Sequence, residues 1–171
     1  MRIKIWDYYA ITTPDHFFSF TVSNIGYLGM IFAYVIDFKT GEYKEQTVST
    51  LLGSGVNLPR AATAGKTSYE KGDFKMVFEA LPGKRTVSVC WPGFAGSALN
   101  AEFTLAQPPD HESMTIVIPI RGKRFYYNHK LNCLPATGWV DYAGQRFELT
   151  PDTALGNLDW GRGVWEYASH W

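Results

Sequence analysis

The sequence predicts an all-β domain whose antiparallel strands form a curved sheet or a partly closed barrel, with a β-sandwich as the second choice. Aromatic side chains make up 16% of the 171 residues and 16 positions are glycine, a composition that favours strands joined by tight turns. About ten short stretches have strand-like patterns, whereas no stretch has a convincing helical period. Closure into a barrel is the usual way for such a sheet to hide its edges, so the curved sheet is preferred.

The strands follow one another between turn signals. Residues 39–42 are the clearest turn, because Gly41 supplies the positive φ that a tight hairpin requires. The small residues of 53–66 predict a loop, and 132–136 is predicted to break an otherwise extended stretch. The predicted strands are residues 2–11, 17–22, 29–38, 43–51, 67–70, 74–80, 86–91, 99–106, 114–120, 125–129, 138–142 and 145–149.

Residues 156–165 contain three glycines and two tryptophans. Neither helices nor strands favour so many glycines, whereas tryptophans favour burial, so an irregular but well-defined segment is predicted. Asp159 and Arg162 stand three positions apart and are expected to pair across a turn. Such a pair serves either as a structural clasp, which the spacing favours, or as an acid–base or ligand-orienting pair that faces a pocket.

The charge balance and the apolar segments exclude two classes of partner. The chain has 16 acidic and 16 basic residues, so its formal net charge is zero and no nucleic-acid partner is predicted. Residues 17–36 come nearest to a membrane span, but Ser19, Asn24 and other polar residues interrupt them. We therefore predict two buried strands with a turn near 23–26, and no membrane span.

The two cysteines and the start of the chain bear on localisation. Cys90 and Cys133 are too few for a disulfide framework and are interpreted as small core residues in a reducing compartment. Residues 1–7 are too charged to begin a targeting segment. A cytoplasmic protein consisting of one domain over residues 1–171 is therefore expected, since we recognise no linker, repeat or low-complexity tract.

No cofactor or metal is predicted. A metal site needs three or four convergent ligands, and no two histidines stand at ligand spacing. No glycine-rich phosphate loop opens a helix, and there is no Gly-x-Ser-x-Gly elbow. The histidines are His16, His111, His129 and His170.

The polar loop 108–113 is a second candidate for chemistry. His111 and Glu112 can both transfer protons, but neighbouring side chains of an extended chain point in opposite directions. The preferred interpretation is a structural loop whose polar groups satisfy backbone donors.

Several blocks of the chain carry a family signal, namely residues 4–9, 13–15, 26–27, 32–34, 109–113, 132–136 and 158–165. These blocks resemble an uncharacterised bacterial family, domain of unknown function 2804. The resemblance covers nearly the whole chain in the family's order, and the block at 158–165 is the most recognisable.

That family is distantly similar to the hydroxyneurosporene synthase, AttH and tocopherol cyclase group. The resemblance implies a pair of lipocalin-like, calycin-type barrels and cofactor-free additions to polyenes or prenyl chains, or their cyclisation, in which a protein acid protonates an alkene. Members of the family are about twice as long as this chain. The resemblance therefore implies that the chain holds most of the first barrel, and that residues 156–165 form its closing corner.

Three functions follow as expectations. The first is a lipocalin-like module that binds an apolar or amphipathic small molecule. The second is a cofactor-free isomerase, hydratase or cyclase in which Asp159 or Glu112 is the acid and Arg162 and His111 orient the substrate, although Arg162 beside Asp159 would lower the pKa of that acid. The third is a structural half-domain that contacts a missing second barrel, or a second copy through an open sheet edge. The expected ligand-binding residues are Tyr127, Asn132, Trp160, Arg162 and Trp165.

Overall fold

The computed structural model describes residues 2–168, and within this range the chain forms β-strands and turns without a helix. The all-β prediction is therefore confirmed. The described strands are β1 (Lys4–Thr12), β2 (His16–Asn24), β3 (Leu28–Asp37), β4 (Tyr43–Leu51), β5 (Val56–Asn57), β6 (Gly65–Lys71), β7 (Phe74–Leu81), β8 (Lys84–Phe94), β9 (Ser97–Ala106), β10 (Met114–Ile120), β11 (Arg124–Tyr142), β12 (Gln145–Leu149) and β13 (Leu155–Val164).

These strands form one antiparallel sheet in the order β4-β3-β2-β1-β13-β11-β9-β8-β7-β6-β5. The long strand β11 joins two regions of the sheet: its first part pairs with β10 and β13, and its last part pairs with β9 and β12. Strand β13 also pairs with the whole length of β1, through residues 155–163. The last of the described strands is therefore a central strand, held by the first.

The sheet curls around a core formed by its inner face. The ring of Phe20 on β2 lies 5.8 Å from that of Phe103 on β9, and the ring of Tyr9 on β1 lies 5.0 Å from that of Phe78 on β7. All four side chains are buried. Burial of one such ring contributes about 1.5–3 kcal/mol, so these contacts stabilise the curvature. The prediction of a curved, barrel-like sheet is confirmed.

The prediction of irregular structure at 156–165 is wrong, because this segment forms most of the regular strand β13. Its glycines allow other groups to lie directly on the backbone. A Cβ atom at Gly161 would overlap the Trp6 ring, and one at Gly156 would overlap the Leu105 side chain. None of the three glycines has a positive φ. They are therefore required for close packing and not for a turn or a closing corner.

The predicted break at 132–136 is also wrong. Strand β11 continues through it, with a bulge where the register with β13 shifts between Leu131 and Leu134. Cys133 takes up the extra residue with a φ of 56°, as bulges do when they bend a strand. The predicted loop at 53–66 contains the two-residue strand β5.

Cys90 and Cys133 are free and exposed, so their interpretation as core residues is wrong. On β8, alternation directs the neighbours Val89 and Trp91 to the buried face and Cys90 to the other. The segment 17–36 forms β2, a turn and most of β3, as predicted. Over residues 2–168, no helix is long and apolar enough to cross a membrane.

Candidate ligand pocket on the inner face of the sheet

The alternation of β13 decides which of its side chains can act together. Trp160 and Arg162 lie on the inner face and Asp159 lies on the outer face, since residues three apart on a strand face opposite ways. The predicted Asp159–Arg162 pair is therefore wrong. The Asp159 carboxylate is instead held by side chains of neighbouring strands, namely Trp6 through Nε1 at 3.0 Å, Asn128 through Nδ2 at 2.7 Å, and Lys130 as an ion pair.

A pocket of about 430 Å³ opens on the inner face beside β13. Tyr127 on β11 lies directly opposite Arg162 in the antiparallel register. The Tyr127 ring contacts the Trp160 ring edge to face, with the centroids 5.7 Å apart. Three of the five expected ligand-binding residues therefore meet here. The rest of the lining comes from β10, β11 and the segment before β6, namely Val117, Phe125, Arg60, Ala61, Ala62 and Thr63.

Two N–H donors of this pocket have no acceptor among the described residues. Trp160 is 2% exposed and its indole Nε1 makes no hydrogen bond. Arg162 donates from Nη1 to the Arg60 carbonyl oxygen at 2.9 Å, yet its buried Nε is also without a partner. Buried N–H groups are paired in most proteins, so two unpaired donors at one pocket indicate a place for a ligand acceptor or for water.

Asp7 lies directly opposite Trp160 in the register of β1 and β13, and it is not one of the residues that line the pocket. It is 4% exposed, Thr67 Oγ1 donates to its Oδ2 at 2.6 Å, and its Oδ1 has no partner within the described chain. Burial raises the pKa of Asp7 to about 6, against smaller lowering effects of the Thr67 hydrogen bond and the Arg85 charge. Asp7 is thus a carboxyl group that exchanges its proton near neutral pH.

Further buried polar groups surround Asp7. The Arg85 side chain is buried and donates from Nη1 to the Tyr9 hydroxyl at 3.2 Å and to the Ala62 carbonyl at 2.9 Å. His129 lies opposite Trp160 on β11, with Nδ1 2.9 Å from Thr115 Oγ1. Burial, and then the charge of Arg85, lowers the pKa of His129, which favours the neutral ring.

We did not predict roles for Asp7, Arg85 or His129. A signal for Asp7 was present, because Tyr9 and Ile11 are typical inward residues of β1 and strand alternation places Asp7 with them. Arg85 and His129 have no comparable local signal, since their burial depends on which distant strands cover them.

The other predicted residues lie apart from the pocket. His111, Glu112 and Asn132 line a separate surface depression of about 490 Å³. His111 donates from Nε2 to the Asn132 carbonyl oxygen at 2.7 Å, so the loop 108–113 is attached to the bulge of β11. Trp165 packs against Trp6, with the ring centroids 5.9 Å apart.

The outer face near Asp159 has its own shallow pocket of about 320 Å³, which Trp6, Tyr8 and Phe32 line. The hydroxyl groups of Tyr8 and Tyr34 are hydrogen-bonded at 3.0 Å, and burial raises the pKa of Tyr8. No group of three or more His, Cys, Asp or Glu residues that could hold a metal occurs within 2–168, and His170 lies outside the described residues.

Two solved structures share this fold. A Nitrosomonas europaea protein provisionally assigned as AttH is 14% identical with a TM-score of 0.67, and the match covers 98% of this chain and 53% of that one. Kievitone hydratase from Nectria haematococca is 10% identical with a TM-score of 0.54, and the match covers 94% and 48%. The chain therefore spans about half the length of each.

At these sequence identities the similarity shows only a shared fold, which agrees with the expected lipocalin-like architecture. No curated protein matches the sequence at a significant level. The family comparison is more specific, because one family profile matches the chain from residue 1 to residue 171. The chain belongs to the family named Domain of unknown function (DUF2804).

Proposed function

We propose that this domain binds an apolar or amphipathic small molecule in the inner-face pocket. The observation that carries the proposal is the combination of an aromatic wall, Tyr127 and Trp160, with two buried N–H donors that lack acceptors. Small-molecule sites are typically concave and apolar, with a few polar groups that fix the orientation of the ligand. The volume of about 430 Å³ lies within the usual range for such sites.

The two parts of the pocket have different roles. The rings exclude water from the apolar part of the ligand, and each square ångström of apolar surface removed from water contributes roughly 25 cal/mol. The polar donors select ligands that carry an acceptor, because an unpaired buried donor is costly. Val117 is 63% exposed and forms the open rim through which a ligand enters.

The test is a fluorescence titration with fatty acids, prenols and carotenoids. The chain has six tryptophans, so the signal from the pocket is isolated by comparing Trp160→Phe with the control Trp139→Phe, which lies outside the pocket. We expect saturable quenching in the wild type and in the control, and a much smaller change in Trp160→Phe. Lack of quenching by every ligand class would contradict the proposal.

An enzymatic function is the second candidate, and the observation that favours it is Asp7. An acid that protonates an alkene has to be neutral before it reacts, which burial favours. Burial raises the pKa of Asp7, as this role requires, whereas the Asp159 carboxyl group is already engaged by Lys130 and two N–H donors. We therefore propose Asp7 in place of Asp159 and Glu112 as the acid of any cofactor-free hydratase or isomerase activity.

Deuterium incorporation tests this candidate. Prenyl and polyene substrates are incubated with the domain in D₂O and analysed by mass spectrometry. We expect label in the product of the wild type and none with Asp7→Asn, while ligand binding by Asp7→Asn persists. Equal labelling by both proteins would contradict a role for Asp7.

A third candidate is association through the sheet edge formed by β10. Among the described strands β10 pairs only with β11, and Met114, Ile116 and Ile118 are exposed. Residues 114–120 carry no charge, so two copies can pair edge to edge here without like-charge repulsion. We propose a second copy of this chain as the partner.

A further inference from the structure

We infer that the ligand of the inner-face pocket is an anionic amphiphile, and that Arg162 and Trp160 bind its carboxylate while Tyr127 and Val117 contact its apolar body. This inference rests on the proposed binding function and specifies the class of ligand.

The first argument is the state of the Arg162 guanidinium. Its Nη1 donates to the Arg60 carbonyl oxygen, and on the other side of the planar group the buried Nε has no partner in the described chain. The neighbouring Nη2 donates to no described residue either. Nε and Nη2 form one of the two-donor edges that carboxylates bind through paired hydrogen bonds. The backbone contact therefore holds the guanidinium in place and leaves a binding edge unused.

The second argument is the charge of the pocket. Its lining residues, all within the described range, include Arg60 and Arg162 but no Asp or Glu. Neither arginine belongs to an ion pair among residues 2–168. Asp7, the acid opposite Trp160 in the register, is engaged by Thr67 and does not line the pocket. Two cations without a counter-charge favour an anionic ligand.

The third argument is the position of the second donor. The Trp160 indole N–H is buried and unpaired, and Trp160 stands two residues before Arg162 on the same face of β13. Side chains at this spacing lie beside each other along a strand. A carboxylate accepts from both, because each of its oxygens has two lone pairs. The apolar lining then covers the remainder of the molecule.

A matched ligand series tests the inference. Dodecanoic acid, methyl dodecanoate and 1-dodecanol have the same apolar chain and differ in charge, and their dissociation constants are measured by calorimetry at neutral pH. We expect the acid to bind at least about tenfold more tightly than the alcohol and the ester, as a charge-assisted hydrogen-bond pair requires. Arg162→Gln should weaken acid binding about tenfold and change alcohol binding by less than about twofold.

Two further variants complete the design. Arg162→Lys retains the charge but not the paired geometry, so it should retain part of the preference for the acid. Arg121→Gln removes an exposed arginine from the turn between β10 and β11, outside the pocket, and should change nothing. Circular dichroism verifies that each variant is folded. If Arg162→Gln fails to fold, the ligand series with the wild type still tests the ligand class, and the Arg162→Lys variant tests whether Arg162 binds the carboxylate.

The outcomes separate the inference from the proposed function. Equal binding of acid, ester and alcohol by the wild type would overturn the inference and leave the binding function intact. A preference for the acid that survives in folded Arg162→Gln would overturn the role of Arg162. If none of the three ligands binds and the fluorescence titration is also negative, the proposed function itself fails.

Discussion

Adjacent residues of one strand, Asp159 and Trp160, lie in opposite environments. On the outer face, Asp159 is surrounded by donors, and its carboxylate accepts from three side chains on the two neighbouring strands β1 and β11. On the inner face, Trp160 and Arg162 have donors that no described residue accepts from. A satisfied polar cluster stabilises the fold, whereas an unsatisfied one beside a pocket is a place for a ligand. The two faces should therefore respond differently to substitution.

The largest expected effect is that of Gly161→Val, which adds a side chain where the Trp6 ring covers β13. Overpacking at this contact should lower the free energy of unfolding by about 3 kcal/mol. Gly93→Val is the matched control, because a Cβ at Gly93 meets nothing within 4 Å. Urea denaturation measures both variants, and equal stabilities would contradict the packing role of Gly161.

The buried acid of the inner face should make stability depend on pH. The pKa of Asp7 is raised to about 6 from an ordinary 3.8, so the folded state holds its proton more tightly than the unfolded state. The stability contributed by Asp7 is therefore full below about pH 4 and declines as the pH rises to about 6.

The comparison with Asp7→Asn isolates this contribution. Each pH unit between the unfolded-state and folded-state pKa values of Asp7 changes the free energy of unfolding by about 1.4 kcal/mol. The stability of Asp7→Asn relative to the wild type should therefore rise by about 2 kcal/mol between pH 4 and pH 7. A constant difference over this range of pH would mean that Asp7 is not desolvated.

On the outer face, Asp159→Ala should reduce stability by about 2 kcal/mol, because Trp6, Asn128 and Lys130 lose their common acceptor. The affinity of the inner pocket for ligands should change by less than about twofold. Asp141→Ala, which breaks an exposed ion pair with Arg146, is the control and should cost at most about 1 kcal/mol. If Asp159→Ala lost ligand binding without losing stability, the outer face would be the ligand site, and its role in stabilising the fold would be contradicted.

The smallest effect on stability is expected at β10. Ile118→Lys places a charge on the exposed outer side of this edge strand and should change the free energy of unfolding by less than about 0.5 kcal/mol. It should nevertheless reduce self-association, which light scattering after size exclusion measures. A wild-type protein that is monomeric at every concentration would contradict the proposed pairing.

Much of the fold could be predicted from local patterns. Strands β2, β3 and β4 lie within a few residues of their predicted bounds, because alternation and the turn at Gly41 are local signals. The segment 156–165 could not be predicted in this way. Its glycines resemble turn residues, and only the Trp6 and Leu105 side chains that cover them reveal a packed strand.

The candidate site was predicted in part. Tyr127, Trp160 and Arg162 were expected to bind a ligand and do line one pocket, although binding itself stays a prediction. Asn132, His111 and Trp165 lie elsewhere, because sequence proximity and residue type do not state which face of which strand a side chain occupies. Asp7 could not be placed from the sequence, because only the pairing of β1 with β13 brings it opposite Trp160.

The sequence by itself determined the class of the fold and most of the strands and turns, since each depends on the preferences of residues close together in the chain. It also determined that Asp159 and Arg162 cannot share a face once their segment is a strand. Only the tertiary structure decided that this segment is a strand, and that β1 and β11 flank it. Those pairings join residues more than 100 and about 30 positions apart, and they place the unpaired donors of Trp160 and Arg162 in one pocket.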